Sequence, residues 1–347
     1  MIAPALRAAR GLPKTARLRT SRDFRFKVRA WFLKDTPSIC TGCSNGCNTQ
    51  ISTYKDRVYR FLPRRNDAVN DTWICDDGRL SYHAIQSADR IRLPRLRDDA
   101  PGDGAVSQAA APWDIAIEAA ARRLRIARES RGAPALGAVA SAHPTNEDLY
   151  LFLKFCREVL GVDRPGMVVP TWEPDDLLIK EEKAPNAAGA RALGIGDADD
   201  ARATLERCER GEVNAIVLLG ADILLADDPV RVLAALSKVG TIVCIDTHES
   251  EISRIAHVVL PAQGFAEKDG TMTNVRGRVQ RIRPAIRPVG EARAEREILG
   301  ALASRMEHPL ASASPADVLK EIAAAVPAFR GVTLERVGSQ GILLGGA

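Results

Sequence analysis

No run of apolar residues in this 347-residue chain approaches the stretch of about eighteen that a membrane span requires. The beginning lacks the apolar h-region of a secretory signal. Acidic residues are missing before Asp23, while residues 1–22 are rich in arginine. A solvated, disordered basic tail is the expectation there, with an Arg-rich mitochondrial transit peptide as the alternative. Aromatic residues make up only 5%, and the net charge is a modest +5. With so few aromatics set among the basic residues, nothing predicts a nucleic-acid surface. What remains is a globular composition, 46% hydrophobic and 27% charged, with length for about two domains.

Cysteine is used unevenly. Four of the seven lie near the start: Cys40, Cys43 and Cys47 in "SICTGCSNGCNT", and Cys75 in "NDTWICDDGRL". Three thiols crowd one loop and a fourth arrives from a separate segment. A cubane [4Fe–4S] cluster takes one thiolate on each of four irons, and this set supplies them. Gly42 and Gly46 allow the loop to bend and its N–H groups to face cluster sulfur. The alternatives are a structural zinc site, which usually shows two Cys-x-x-Cys pairs, and disulfides, which need an oxidising compartment. Trp73 and Ile74 are expected to shield the site from water. Cys156, Cys208 and Cys244 are scattered. Cys156 falls within an apolar helix and reads as a buried structural thiol. Seven cysteines without a targeting signal fit a reducing cytoplasm.

In chain order, residues 24–34 alternate between apolar and basic positions and predict a strand leading into the cysteine loop. Residues 48–62 predict a hairpin broken at Lys55-Asp56. A small β-rich domain over 23–93 follows, nucleated by its cofactor. Residues 94–111 read as a linker. Trp113 to about Ser130 is an amphipathic helix with Ile115, Ala119, Leu124 and Ile126 at helical spacing. A buried strand at 135–142 precedes a helix capped by Thr145 or Asn146 and stopped near Gly161. Residues 162–200 read as irregular, and 201–210 as a short helix. Gly194-x-Gly196 has no third glycine and no preceding strand, so it is weak as a nucleotide site. Strands at 214–222, 241–246 and 256–262, with a helix at 229–240, predict a parallel sheet. Ligands of such sheets sit at the strands' carboxyl ends, here Gly220 to Asp222 and Asp246 to His248, although both aspartates suit turn caps. Arg276, Arg278, Arg281, Arg283 and Arg287 form a candidate clamp for phosphate or an acidic partner. Helices at 291–306 and 315–326 close the α/β domain (112–306) and open a C-terminal helix and tail (307–347), whose Gly-rich part after 330 is expected to fray.

Two stretches resemble a known family. "SRDFRFKVRAWFLKDTPSICTGCSNGCNT" with "YRFLPRRNDAVNDTWICDDGRLSYH" is similar to the large iron–sulfur subunit of NADH-quinone oxidoreductase (complex I). "VVLPAQGFAEKDGTMTNVRGRVQR" resembles the later part of that subunit and of the molybdopterin oxidoreductase superfamily. The likeness covers most of residues 21–306. It implies an α/β protein: a small β-rich [4Fe–4S] domain followed by an abbreviated molybdopterin-oxidoreductase-like α/β domain with a parallel sheet. It implies one [4Fe–4S] cluster on Cys40, Cys43, Cys47 and Cys75, with no catalytic residues of its own.

Departures from the family bear on cofactor and partners. The front clusters of that subunit are missing, which implies an N-terminally truncated or split form. Pterin enzymes of the superfamily commonly carry a lysine two residues after the last cluster cysteine. Here that position is Asp77, and no Cys or Ser stands out as a molybdenum ligand, so the resemblance implies no molybdopterin. The expected function is an electron-transfer subunit working with the NADH-binding and iron–sulfur subunits of complex I. It would be cytoplasmic, touching the inner face of the plasma membrane only through the complex. The alternatives are a molybdopterin-dependent, formate dehydrogenase-like oxidoreductase, and a non-catalytic assembly protein holding a cluster or zinc.

Overall fold

The computed structural model of the chain describes residues 23–98, 107–220, 223–225, 227–310 and 314–345. The basic N-terminus (1–22) lies outside the described residues. Three antiparallel strands come first: β1 (Lys34–Ile39), β2 (Asn48–Tyr54) and β3 (Arg57–Pro63), in the order β1-β2-β3. Lys55 and Asp56 both take positive φ, 49° and 61°, as a two-residue hairpin loop requires. The strand expected over 24–34 is displaced. Residues 24–33 are turns and a 3-10 turn, and pairing begins only at Lys34. Phe24 is buried, but Phe26 is 91% exposed and Trp31 75%, so the apolar positions there do not share one buried face. Two short helices follow, α1 (Asp76–Leu80) and α2 (Tyr82–Ile85).

The stretch expected as a linker contributes β4 (Arg95–Arg97) and β5 (Gln108–Ala110), a hairpin on the edge of the large sheet. Residues 99–106 between them lie outside the described residues. Helix α3 (Trp113–Arg131) lies where its periodicity places it, but a different face is buried. Ile115 and Ile126 are exposed; Ala116, Ile117, Ala120, Ala121, Leu124 and Ala127 form the inner stripe. Small side chains let the helix settle close to the sheet, and alanine's weak hydrophobicity hides that face from a periodicity count.

Five parallel strands make the body of that sheet: β6 (Leu136–Ser141), β7 (Gly166–Val168), β8 (Ala215–Leu219), β9 (Thr241–Asp246) and β10 (Val258–Pro261). The whole sheet runs β5-β4-β10-β9-β8-β6-β7. The order reverses between β6 and β8, which creates a crevice at their carboxyl ends. Strand residues alternate between two cores. Ala215, Val217 and Leu219 pack on one face with α3, while Ile216 and Leu218 pack on the other. Helix α4 (Asn146–Lys154) follows β6, is capped by Thr145, and its residues through Leu153 are all buried. The region expected to be irregular holds α5 (Ala187–Leu193), which is short and rich in alanine and so gives little periodic signal. The short helix expected at 201–210 is α6 (Ala198–Glu209), beside β7, which starts three residues earlier on its Asp197 cap.

The polar first turn of α4 meets the hairpin of β11 (Gly270–Thr273) and β12 (Arg278–Ile282). Asn146 Nδ2 donates to the Thr271 and Thr273 hydroxyls at 3.0 and 3.1 Å. Glu147 accepts from the Thr271 N–H and hydroxyl, each at 2.8 Å. Burial nevertheless pushes the Glu147 carboxyl up to about 7 from its ordinary 4.5. The folded chain therefore holds a proton that the unfolded chain releases between those values. This group lowers stability as pH rises through that window. Glu147→Gln is expected to flatten the decline, seen as a smaller difference between urea midpoints at pH 5 and pH 7.5.

The five candidate clamp arginines are occupied internally. Arg281 pairs with Asp269, Arg287 with Asp56, and Arg276, Arg278 and Arg283 donate to the carbonyls of Ala68, Gly341 and Gly338. They tie β12 to its surroundings. The tail expected to fray is instead held. After the helices Glu295–Arg305 and Pro315–Ala325, the strand Ile342–Leu343 pairs with β12, and Val332 and Val337 are buried.

Candidate metal centre

The loop Cys40–Cys47 joins β1 to β2, and the Cys40 N–H closes it by donating to the Cys47 carbonyl at 2.7 Å. Distant segments then pin its main chain. Ser44 N–H donates to the Glu182 carbonyl and Val275 N–H to the Ser44 carbonyl, both at 2.8 Å. Asn274 Nδ2 reaches the Asn45 carbonyl at 3.1 Å, and Gln280 Nε2 the Gly46 carbonyl at 3.0 Å. Gly46 has φ 60°, and any side chain there would start 3.0 Å from Gln280 Oε1. Cys75 is the N-cap of α1, which presents its sulfur to the Gly78 N–H.

These elements bring the four thiols to one place. The sulfurs of Cys40, Cys47 and Cys75 each sense the charge of Cys43, and those of Cys40 and Cys47 also sense Cys75. Gly78 lies between two of them: a Cβ there would sit 2.8 Å from Cys40 Sγ and 3.3 Å from Cys75 Sγ. Hydrogen bonds already aim at three sulfurs: Gly42 N–H to Cys40 at 3.4 Å, Asn45 Nδ2 to Cys47 at 3.1 Å and Gly78 N–H to Cys75 at 3.3 Å. Cys40, Cys43 and Cys47 are buried, and Cys75 is partly exposed. Burial pushes the thiols of Cys40 and Cys75 up and that of Cys47 up to about 11. A buried thiolate thus needs positive charge beside it, which iron or zinc provides. Among the described residues, no three Cys, His, Asp or Glu side chains converge tightly enough for a single metal ion. The sulfurs are neighbours without meeting at a point. A cubane takes one thiolate per iron at separate corners, so its ligands need not converge on one point.

Of the two expected shields, Ile74 is buried against Cys40 and Cys47, whereas Trp73 is 54% exposed. Further cover comes from residues 170–183, where Leu178 packs on the same group and Asp175 lies near Cys75. Only the cluster of prolines marks that segment in the sequence. Cys156, Cys208 and Cys244 are buried in the two sheet cores, away from this site.

A cavity of about 440 Å³ lies at the crevice between β6 and β8, lined by Ser141, Gly220 and Asp246 on one side and Thr41 and Gly42 of the cysteine loop on the other. Its two buried cations are already matched. Arg90 forms a two-pronged bond to Glu267 at 2.6 and 2.8 Å, and Lys268 sits between Asp148 and Glu295. Asp246 caps its own turn through the Thr247 N–H at 2.6 Å. Ala221 and Asp222 lie outside the described residues. Gly194, at φ 92°, ends α5 and forms no phosphate loop.

Two family models match in register with these parts. The NADH-ubiquinone oxidoreductase NDSU1/NuoG-like 4Fe-4S domain covers residues 33–83, and molybdopterin oxidoreductase covers 179–305. The NADH-quinone oxidoreductase G subunit of Streptomyces coelicolor is 34% identical over 144 residues, 42% of this chain and 16% of that protein. NADPH-Fe(3+) oxidoreductase subunit alpha of Geobacter sulfurreducens is 38% identical over 152 residues, 44% of this chain and 17% of that one. The chain thus spans a small part of the length of these relatives. In fold it is similar to acetylene hydratase from Pelobacter acetylenicus, with TM-score 0.59 at 11% identity over 90% of this chain and 74% of that one. Residues 33–83 are thus similar to a NuoG-like 4Fe-4S domain and residues 179–305 to a molybdopterin oxidoreductase domain, and the proteins this chain resembles include the G subunits of NADH-quinone oxidoreductases.

Proposed function

We propose that this chain is an iron–sulfur electron-transfer subunit of an NADH-quinone oxidoreductase, a complex I-like assembly. Cys40, Cys43, Cys47 and Cys75 hold one [4Fe–4S] cluster, which supplies one-electron chemistry when bound. The carrying observation is that four thiols from two segments share one site, with three of their sulfurs already receiving N–H donors. Gly42, Asn45 and Gly78 orient those sulfurs, and Ile74 and Leu178 exclude water from them. The partners are the NADH-binding and iron–sulfur subunits of the same assembly. Contact with the inner face of the plasma membrane is through them; among the described residues no helix is long and apolar enough to cross a membrane.

A molybdopterin oxidoreductase is the second reading, favoured by the cavity beside the cysteine loop and the family match over 179–305. Asp77 puts a negative charge where pterin enzymes of this superfamily commonly carry a lysine. The cavity's buried cations are already engaged by carboxylates, which leaves little positive charge for a cofactor phosphate. Anaerobically purified protein is expected to contain about four iron and four acid-labile sulfide per chain, with an EPR signal on reduction and no molybdenum or tungsten. Stoichiometric molybdenum or tungsten would establish the second reading. Zinc without sulfide would overturn the cluster.

A further inference from the structure

We propose that the Ser44 hydroxyl is a hydrogen-bond donor to the cluster, and that it thereby tunes the redox potential. The inference rests on the cluster reading above. Ser44 stands between two ligand cysteines and is 1% exposed. Its main chain is fully engaged, by Glu182 on one side and Val275 on the other. Its side-chain oxygen is buried with no partner. A buried hydroxyl left without a partner costs about 1–3 kcal/mol, so such groups are rare unless a bound group accepts from them.

Other orphaned atoms nearby have simpler explanations. Ser38 and Thr49 face each other across β1 and β2, where rotation of one hydroxyl lets it bond the other. Asn45 Oδ1 and Gln280 Oε1 accept and cannot donate to sulfur. Within Cys40–Cys47, Ser44 Oγ is the orphaned side-chain donor. None of the cysteine sulfurs is its partner, and cluster sulfide is the acceptor chemistry that this loop would enclose. A donor bonded to sulfur stabilises the reduced, more negative cluster and raises its potential.

Ser44→Ala is therefore expected to lower the midpoint potential by a shift equivalent to about tenfold in the one-electron reduction equilibrium, ~59 mV. Ser44→Thr, which keeps the hydroxyl, is expected to restore most of it. Redox titration followed by EPR reads both. A Ser44→Ala protein with full iron and sulfide and an unchanged potential would overturn the proposal. Should Ser44→Ala fail to retain its cluster, the near-isosteric pair Ser44→Thr and Ser44→Val decides. A lower potential in Ser44→Val than in Ser44→Thr supports the donor, and equal potentials refute it. If the wild type holds no iron and sulfide at all, the cluster reading itself has failed, a result distinct from an unmoved potential.

Discussion

Replacing Cys47 with serine is expected to strip the protein of most of its iron and acid-labile sulfide and to abolish the EPR signal of the reduced cubane. One corner iron loses its thiolate, and a buried hydroxyl in its place gives no comparable anionic ligand. The neighbouring donor Asn45 Nδ2, 3.1 Å from the Cys47 sulfur, loses a charged acceptor at the same time. Gly78→Ala is expected to act in the same direction with all four thiols intact. Its Cβ would lie 2.8 Å from Cys40 Sγ and 3.3 Å from Cys75 Sγ, closer than sulfur tolerates. Cys156→Ser is the control, because that thiol sits in the sheet core and away from the loop. Iron and sulfide assays on the three proteins separate a specific ligand set from general thiol content. Full retention in Cys47→Ser would remove that residue from the centre.

Lys268→Met is expected to cost about 3–5 kcal/mol of folding stability, because it strands buried carboxylates without their cation. Lys268 Nζ lies 2.9 Å from Asp148 and also contacts Glu295, and all three side chains are almost entirely buried. The lysine's positive charge holds Asp148 below the usual carboxylate range, against the burial that would raise it. Burial pushes Glu295 up to about 7, and the charge of Asp148 adds to the push. Without the lysine, which holds the Glu295 value down, Glu295 must take up a proton to fold. Stability of the variant should therefore recover as pH falls from 8 to 5.5, because the folded state then binds the proton more tightly than the unfolded chain. Asp148 keeps other donors, the Arg296 N–H at 3.1 Å and the Thr145 hydroxyl at 2.6 Å, so Glu295 carries more of the loss. Adding Glu295→Gln to Lys268→Met is expected to restore a large part of it. Urea unfolding of the single and double variants at pH 5.5 and 8 measures both effects. A Lys268→Met protein as stable as the wild type at pH 8 would show the triad to be dispensable.

The features legible in the sequence are local ones. The four cysteines and the Lys55-Asp56 hairpin declare themselves within a few residues, because loop and turn chemistry is set by neighbours. The strands β8, β9 and β10 announce themselves as short apolar runs, since a parallel sheet is buried on both faces. What stays hidden depends on chain far away. The buried face of α3 is made largely of alanines, whose role emerges only when the helix Glu295–Arg305 and the sheet lie against them. The arginines at 276–287 look like a free basic cluster until Asp56, Ala68 and Gly341 supply their partners. The cover over Cys75 comes from residues 170–183, and no periodicity connects those two segments. The donors around the sulfurs are legible only in kind, as backbone N–H groups; Asn45 and Ser44 need the loop's actual path.

That path has a consequence for how the protein is made. Gln280 and Asn274 hold the Gly46 and Asn45 carbonyls, across sequence separations of 234 and 229 residues. While the ribosome is still synthesising the middle of the protein, the cysteine hairpin has emerged but its clasp does not yet exist. At typical synthesis rates the gap lasts roughly 10–50 s. During that interval the thiols are exposed to oxidants and to the wrong metal. Any metal that reaches the hairpin before Asn274 and Gln280 have been synthesised would meet a loop without its clasp.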